Sequence, residues 1–193
     1  MIEEKPCQLP LSDEPPGEGG DPPDDSGATV QSPPTGCTLQ DLATAKGLSM
    51  ETMQADGWQN MSYLSKPAVR IPYSDEDGRE VAVRIRVGLD HEGDRFRWRS
   101  GDTPLLFGLH RLSSYDPTKP IYIVEGETDA STMWLHGYQA VGVPGAGTWK
   151  SEWAKHLERF DHVYLVVEPD QGGKLLADKV AESPLIEKVR LIS

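Results

Sequence analysis

The chain has 193 residues, 37% hydrophobic and 26% charged, with a net charge of −12. No apolar run nears the ~18 residues needed to cross a bilayer, and the opening MIEEK lacks the basic head and apolar core of a secretory leader; a cytoplasmic protein without membrane contact is expected. Cys7 and Cys37 stand in no C-x-x-C spacing, which excludes a zinc ribbon and a disulfide framework.

Charge is unevenly spread. Residues 1–36 hold eight acids against Lys5, eight of the sixteen prolines and no aromatic residue. Such a segment buries too little apolar surface to offset its ordering entropy, so it reads as a disordered acidic tail. The remainder is only mildly acidic.

Thr38 to Asp41 has the form of a capping box, starting a short helix that stops at Gly47. Ser49 caps a second, 50–55, stopped by Gly57. A DNA-binding helix-turn-helix would need a basic second helix; this one has none, so a packing hairpin is expected. Alternating runs at 68–73 and 80–87 flank Asp77-Gly78, a hairpin signal. A third, 95–99, follows the polar loop 90–94.

After Pro120 the period changes. Strands at 121–124, 140–141, 162–167 and 189–192 alternate with helices at 127–136, 152–159 and 174–182. This β-α-β-α-β-α-β order predicts an α/β fold: a parallel sheet with helices on both faces, preceded by a small α+β subdomain. The expected divisions are a tail at 1–36, an α+β subdomain at 37–117 and a parallel-sheet domain at 118–193. The chain stops directly after a strand, so a fragment of a longer polypeptide is expected.

Sites in open parallel sheets form at the carboxyl ends of strands. The strand at 121–124 runs into Glu125-Gly126-Glu127-Thr128-Asp129, and that at 162–167 into Glu168-Pro169-Asp170. If these strands are neighbours, Glu125, Glu168 and Asp170 converge. Clustered carboxylates repel, and a hard cation such as Mg²⁺ relieves this. The alternative is that the acids only cap the helices that follow, where they favour the helix dipole.

Seven of the ten arginines lie between Arg70 and Arg99. Arg84 and Arg86 share one strand face, and Arg95, Arg97 and Arg99 share another. Gathered on one surface, with Phe96 and Trp98 turned away, they would form a phosphate-binding ridge; the alternative is a solvated face balanced by neighbouring acids. Residues 142–147 (GVPGAG) lack the dinucleotide order and serve either as a tight turn or as backbone amides near a phosphate. The histidines have no ligand spacing, Trp149 and Trp153 are expected to pack, and no serine stands in a hydrolase context.

Val124-Glu125-Gly126-x-x-Asp129, a glycine loop, then a strand leading to acid-x-Asp-x-x-Gly resemble the TOPRIM domain of bacterial primases, topoisomerases and some nucleases. Upstream, 41–57 (DLATAKGLSMETMQADG) resembles the helical entry of the DnaG-type primase catalytic core. Residues 69–73 and 77–87 resemble its basic strands, and 100–109 (SGDTPLLFGL) the segment leading into TOPRIM. The similarity covers about residues 38–193. By position, Glu125 matches the family's first catalytic acid, Glu168 and Asp170 its Asp-x-Asp pair, and Asp129 the acid one helical turn after the first.

The resemblance implies a DNA primase, a DNA-directed RNA polymerase that makes short RNA primers on single-stranded DNA. It implies catalysis by Glu125, Glu168 and Asp170; Mg²⁺ or Mn²⁺ held by these and Asp129; and nucleic acid met by Arg84, Arg86, Arg97 and Arg99. Arg86 best matches the family pattern. Implied partners are the template, ribonucleoside triphosphates, and a replicative helicase or a helicase domain of the same polypeptide, in a plasmid, phage or mobile-element replication system. Glu168 departs from the usual Asp by one methylene, which shifts the metal or weakens its hold, and no zinc-binding segment lies upstream. Two rival readings are a TOPRIM nuclease and a catalytically weakened nucleic-acid-binding module.

Overall fold

The computed structural model describes residues 35–89 and 95–193. Most of the acidic tail, Cys7 and the loop at 90–94 therefore lie outside the described residues. At the start of the described chain, Gly36 N donates to Val87 O at 2.8 Å and Cys37 N to Pro67 O at 3.0 Å.

Helix α1 (Leu39–Lys46) starts on the expected capping box, with Thr38 Oγ1 accepting from Asp41 N and the Asp41 carboxylate accepting from Thr38 N. Gly47, at φ 64°, ends it. Helix α2 (Met50–Ala55) starts on Ser49.

Four antiparallel strands follow in sequential order: β1 (Gln59–Tyr63), β2 (Lys66–Ser74), β3 (Glu80–Arg86) and β4 (Phe96–Trp98). The turn between β2 and β3 is held by Asp75 Oδ1, which accepts from Asp77 N and Arg79 N. Strand β1 is an addition to the sequence reading. Its turn is Leu64-Ser65, at φ 47° and 61°, so it lacks the Asn or Gly that marks a two-residue hairpin. Its own residues are mostly exposed, which removes the alternation signal.

Register corrects one expectation. Directly opposed residues share a face. Arg84 faces Trp98 and Arg86 faces Phe96, whereas Arg97 faces Ile85. The arginines therefore do not make a single ridge. Arg84 and Arg86 share a face with Phe96 and Trp98, and Arg97 projects on the opposite face with Ile85.

The second sheet contains β5 (Ile121–Glu125), β6 (Gln139–Val143), β7 (Val163–Val166) and β8 (Val189–Ile192), all parallel, in the order β6-β5-β7-β8. Helices α3 (Glu127–Leu135) and α4 (Gln171–Ala181) lie on opposite faces. On the α4 side, Ile121, Ile123, Val141 and Leu165 pack with Trp149, Trp153, Phe160, Leu176 and Val180. On the α3 side, Val124 and Ala130 join Leu42, Trp58, Ile71, Tyr73 and Phe107 in a core shared with the first sheet.

The helix expected at 152–159 is a shorter 3-10 segment, Ser151–His156. Helix α4 begins three residues earlier than expected, because Asp170 caps it and its first turn is Gln171-Gly172-Gly173. Gly173 is required there: a Cβ would lie 2.2 Å from the Glu168 carbonyl oxygen. No helix among the described residues is long and apolar enough to cross a membrane.

Candidate active site

Strands β5 and β7 are neighbours, pairing Ile121 with Val163 and Ile123 with Leu165. Their carboxyl ends deliver Glu125, Glu168 and Asp170 to one cleft of about 310 Å³, and the first turn of α3 adds Asp129. Lys46 from the end of α1 and Arg84, Arg86 and Arg95 from the first sheet line the same cleft. The cleft is thus lined both by acids, from the ends of β5 and β7 and from α3, and by bases, from α1 and the first sheet.

Glu125 is half-buried. One carboxylate oxygen accepts from Ala146 N at 3.3 Å; the other is buried without a hydrogen-bond partner. Burial pushes its pKa up, and Glu168, Asp170 and Asp129 push it further. Burial likewise raises Asp129, against the pull of Lys46. Asp170 Oδ1 accepts from Gly173 N at 2.8 Å, so the helix-capping reading holds for this acid while its carboxylate still lines the cleft. Glu125 does not cap the helix that follows it: Gly126 occupies the N-cap of α3, with no side-chain cap.

Among the described residues, no three His, Cys, Asp or Glu side chains close around one metal-sized point. Two features nevertheless suit a hard cation. Glu125 offers a buried oxygen with no partner. Gly172 keeps open the space beside it: a Cβ there would stand 3.3 Å from Glu125 Oε2 and 3.2 Å from Asp170 Oδ1. Oxygen-only donors, few in number, match Mg²⁺ or Mn²⁺ that retain several waters.

The basic wall has a buried foundation. Glu127 is 2% exposed. Its Oε1 accepts from the Tyr73 hydroxyl and, at 2.7 Å, from Arg84 Nη1. The Arg84 guanidinium lies 3.8 Å from the Phe96 ring centroid, and that of Arg86 lies 4.8 Å from it. Burial works to lower the Arg84 pKa, but Glu127 and Tyr73 outweigh it and the pKa is raised. Arg86 is lowered, by burial and then by Arg95. Arg97 Nη1 donates to Phe96 O, and Arg99 pairs with Asp102 at 2.9 Å; neither lines the cleft.

Sequence reasoning missed Lys46, Tyr73, Phe96 and Glu127 as parts of this site. Glu127 stood within the acidic motif and read as an ordinary first-turn helix acid. Lys46 and Tyr73 carry no local signal, because tertiary packing alone brings them to β5.

No protein-family model matches the chain. Over 103 residues it is 33% identical to the Gene 57 protein of Mycobacterium phage D29, covering 53% of this chain and 66% of the relative. Among solved structures it is similar to the primase fragment of the bacteriophage T7 primase-helicase protein, with 24% identity, a TM-score of 0.61, and coverage of 78% of this chain and 62% of that one. A chain from the complex of T7 lagging-strand DNA polymerase with gp4 primase domains, an RNA/DNA hybrid and dTTP matches at 26% identity and a TM-score of 0.63, covering 78% and 77%. The DnaG catalytic core matches at 17% identity and a TM-score of 0.61, covering 79% and 63%. The chain thus spans slightly under two thirds of the phage D29 protein, of the T7 fragment and of the DnaG core. Its described residues have the mixed α/β fold of the catalytic cores of DnaG-type and bacteriophage T7 primases.

Proposed function

We propose that this chain is a primase-like catalytic core that joins ribonucleotides into short primers on single-stranded DNA. The observation that carries this reading is the bipolar cleft. Glu125, Asp129, Glu168 and Asp170 face Lys46, Arg84 and Arg86 across a space that suits a triphosphate. In the proposed reaction the primer 3′-hydroxyl loses its proton to solvent, its oxygen bonds to the α-phosphorus of the next ribonucleotide, the bond from that phosphorus to the α,β-bridging oxygen breaks, and pyrophosphate leaves. A bound Mg²⁺ or Mn²⁺ supplies charge neutralisation at the phosphates and makes the 3′-hydroxyl more acidic.

The chain's own groups divide the remaining work. Glu125, Glu168 and Asp170 are the proposed catalytic acids, and with Asp129 the proposed cation ligands. Lys46, Arg84 and Arg86 hold phosphate oxygens by charge-assisted hydrogen bonds. Arg97 and Arg99 lie away from the cleft; the half-exposed Arg99 is the one proposed to contact template backbone outside it, because Arg97 is buried. The T7 relative is a primase-helicase protein; we propose a helicase as the working partner here as well.

Incubation with a single-stranded template, labelled ribonucleotides and Mg²⁺ or Mn²⁺ tests the reading. Short labelled oligonucleotides are expected from the chain and none from Asp170→Asn. Degradation of the template would instead support a nuclease. Template binding with neither reaction would support a weakened binding module.

A further inference from the structure

Glu127 is the most buried acid among the described residues, yet it lies two residues after Glu125 and lines the same cleft. Its Oε1 ties together three elements: Tyr73 on β2, Arg84 on β3, and the first turn of α3. Net stability does not explain such an arrangement, because a buried ion pair is often matched or exceeded by apolar residues of similar volume. Orientation does. With Nη1 held by Glu127 and its central carbon 3.8 Å from the Phe96 ring centroid, the Arg84 guanidinium has little freedom. It is not saturated by these contacts: Nε is buried with no partner among the described residues. Nη2 lies toward the cleft-lining Gly145, 3.8 Å from where a Cβ of that residue would stand.

We propose that Glu127 is a positioning residue that acts through Arg84, fixing the guanidinium that meets a reacting nucleotide phosphate opposite Glu125. This rests on the primase-like reading of the same cleft. The charge balance gives a signature that a folding defect would not. Removing the Glu127 charge leaves the cleft more positive, so phosphate attraction is kept or increased. The guanidinium, released from Nη1, no longer sits where the reaction needs it, and misplacement costs turnover.

Primer synthesis by Glu127→Gln is therefore expected to show kcat lowered by about tenfold or more, with KM for ribonucleotide unchanged or lower. In an Arg84→Ala background the same substitution is expected to change kcat by less than about twofold, because the two act as a unit. Unchanged kcat, a raised KM alone, or additive losses in the double variant would overturn the proposal. Should Glu127→Gln fail to fold, Arg84→Met is compared with Arg84→Met/Glu127→Gln, in which no buried charge stands unpaired: equal kcat supports the proposal and a further loss overturns it.

Nucleotide binding separates this proposal from the reading beneath it. By fluorescence anisotropy with a labelled ribonucleoside triphosphate and Mg²⁺, Arg84→Ala is expected to lose about fivefold or more in affinity and Glu127→Gln none. If the unaltered chain joins no ribonucleotides, the functional reading fails and takes this role with it; if it joins them and Glu127→Gln keeps the unaltered kcat, the positioning role alone fails. Equal losses in both variants overturn the positioning role whatever the chain synthesises.

Discussion

Gly172 stands where any side chain would crowd Glu125: an added Cβ would lie 3.3 Å from Glu125 Oε2 and 3.2 Å from Asp170 Oδ1. Both contacts are tight, so the neighbouring carboxylates would have to give way. Yet Gly172 is in the first turn of α4, where alanine is the better helix former. Gly172→Ala therefore opposes two effects, a helix gain of up to ~1 kcal/mol and obstruction of the space between two acids. The expected outcome is a melting temperature held or raised without metal, with Mn²⁺ binding by calorimetry weakened severalfold. Undiminished Mn²⁺ binding would place the cation elsewhere.

Glu125 carries a raised pKa from burial and from three neighbouring acids. The folded chain therefore binds a proton that the unfolded chain has released, and this contribution to stability is lost as pH rises through the folded-state value. Glu125→Gln cannot ionise. Without metal, its melting temperature is expected to match that of the unaltered chain near pH 4 and to exceed it by about 1–3 °C at pH 7. With Mg²⁺ the order should reverse at pH 7, because only the carboxylate binds the cation. Differential scanning calorimetry across pH, with and without Mg²⁺, checks both signs.

Arg86 lines the cleft and Arg97 lies on the opposite sheet face. Arg86→Ala is expected to lower the salt-dependence slope of single-stranded DNA binding by about 0.7, the contribution of one phosphate contact. Arg97→Ala is expected to leave intact the part of that slope due to the cleft, and to leave nucleotide affinity unchanged. Equal effects of the two variants on nucleotide affinity would contradict the division of faces.

Asp56, at the end of α2, accepts from Arg111 Nη2 at 2.6 Å and from Ser131 Oγ at 2.9 Å, tying α2 to α3 and to the segment before β5. Arg111 also lies 4.0 Å over the Trp134 ring. The Asp56 carboxylate is buried while Arg111 keeps about one-third exposure. Asp56→Ala should therefore cost less than a fully buried pair, about 2 kcal/mol by urea unfolding.

Leu64 and Ser65 occupy left-handed backbone without being glycine or asparagine, and Leu64 is 71% exposed. Replacing both by Asn-Gly removes the strain and sacrifices no packing of Leu64. A gain of about 1 kcal/mol in urea unfolding is expected, with no change in nucleotide binding.

Local sequence was sufficient for the strands and their order in the parallel-sheet half of this protein, though not for the start of α4 or the 3-10 form of Ser151–His156. Period, glycine placement and the two acidic strand ends are short-range signals, and β5 and β7 did prove to be neighbours, so Glu125, Glu168 and Asp170 meet as their spacing suggested. The Thr38 capping box and the Asp77-Gly78 turn were legible for the same reason: their hydrogen bonds close within a few residues. Tertiary structure alone decided the basic wall. Strand alternation gives the faces within β3 and within β4, but not which face of one matches which face of the other; that depends on register, and the register turned Arg97 away from Arg84. Lys46, Tyr73 and Glu127 entered the site because a core shared between the two sheets sets α1, β2 and α3 against one another. Contacts between residues as far apart as Tyr73 and Glu127 depend on that packing and leave no periodic trace in the chain.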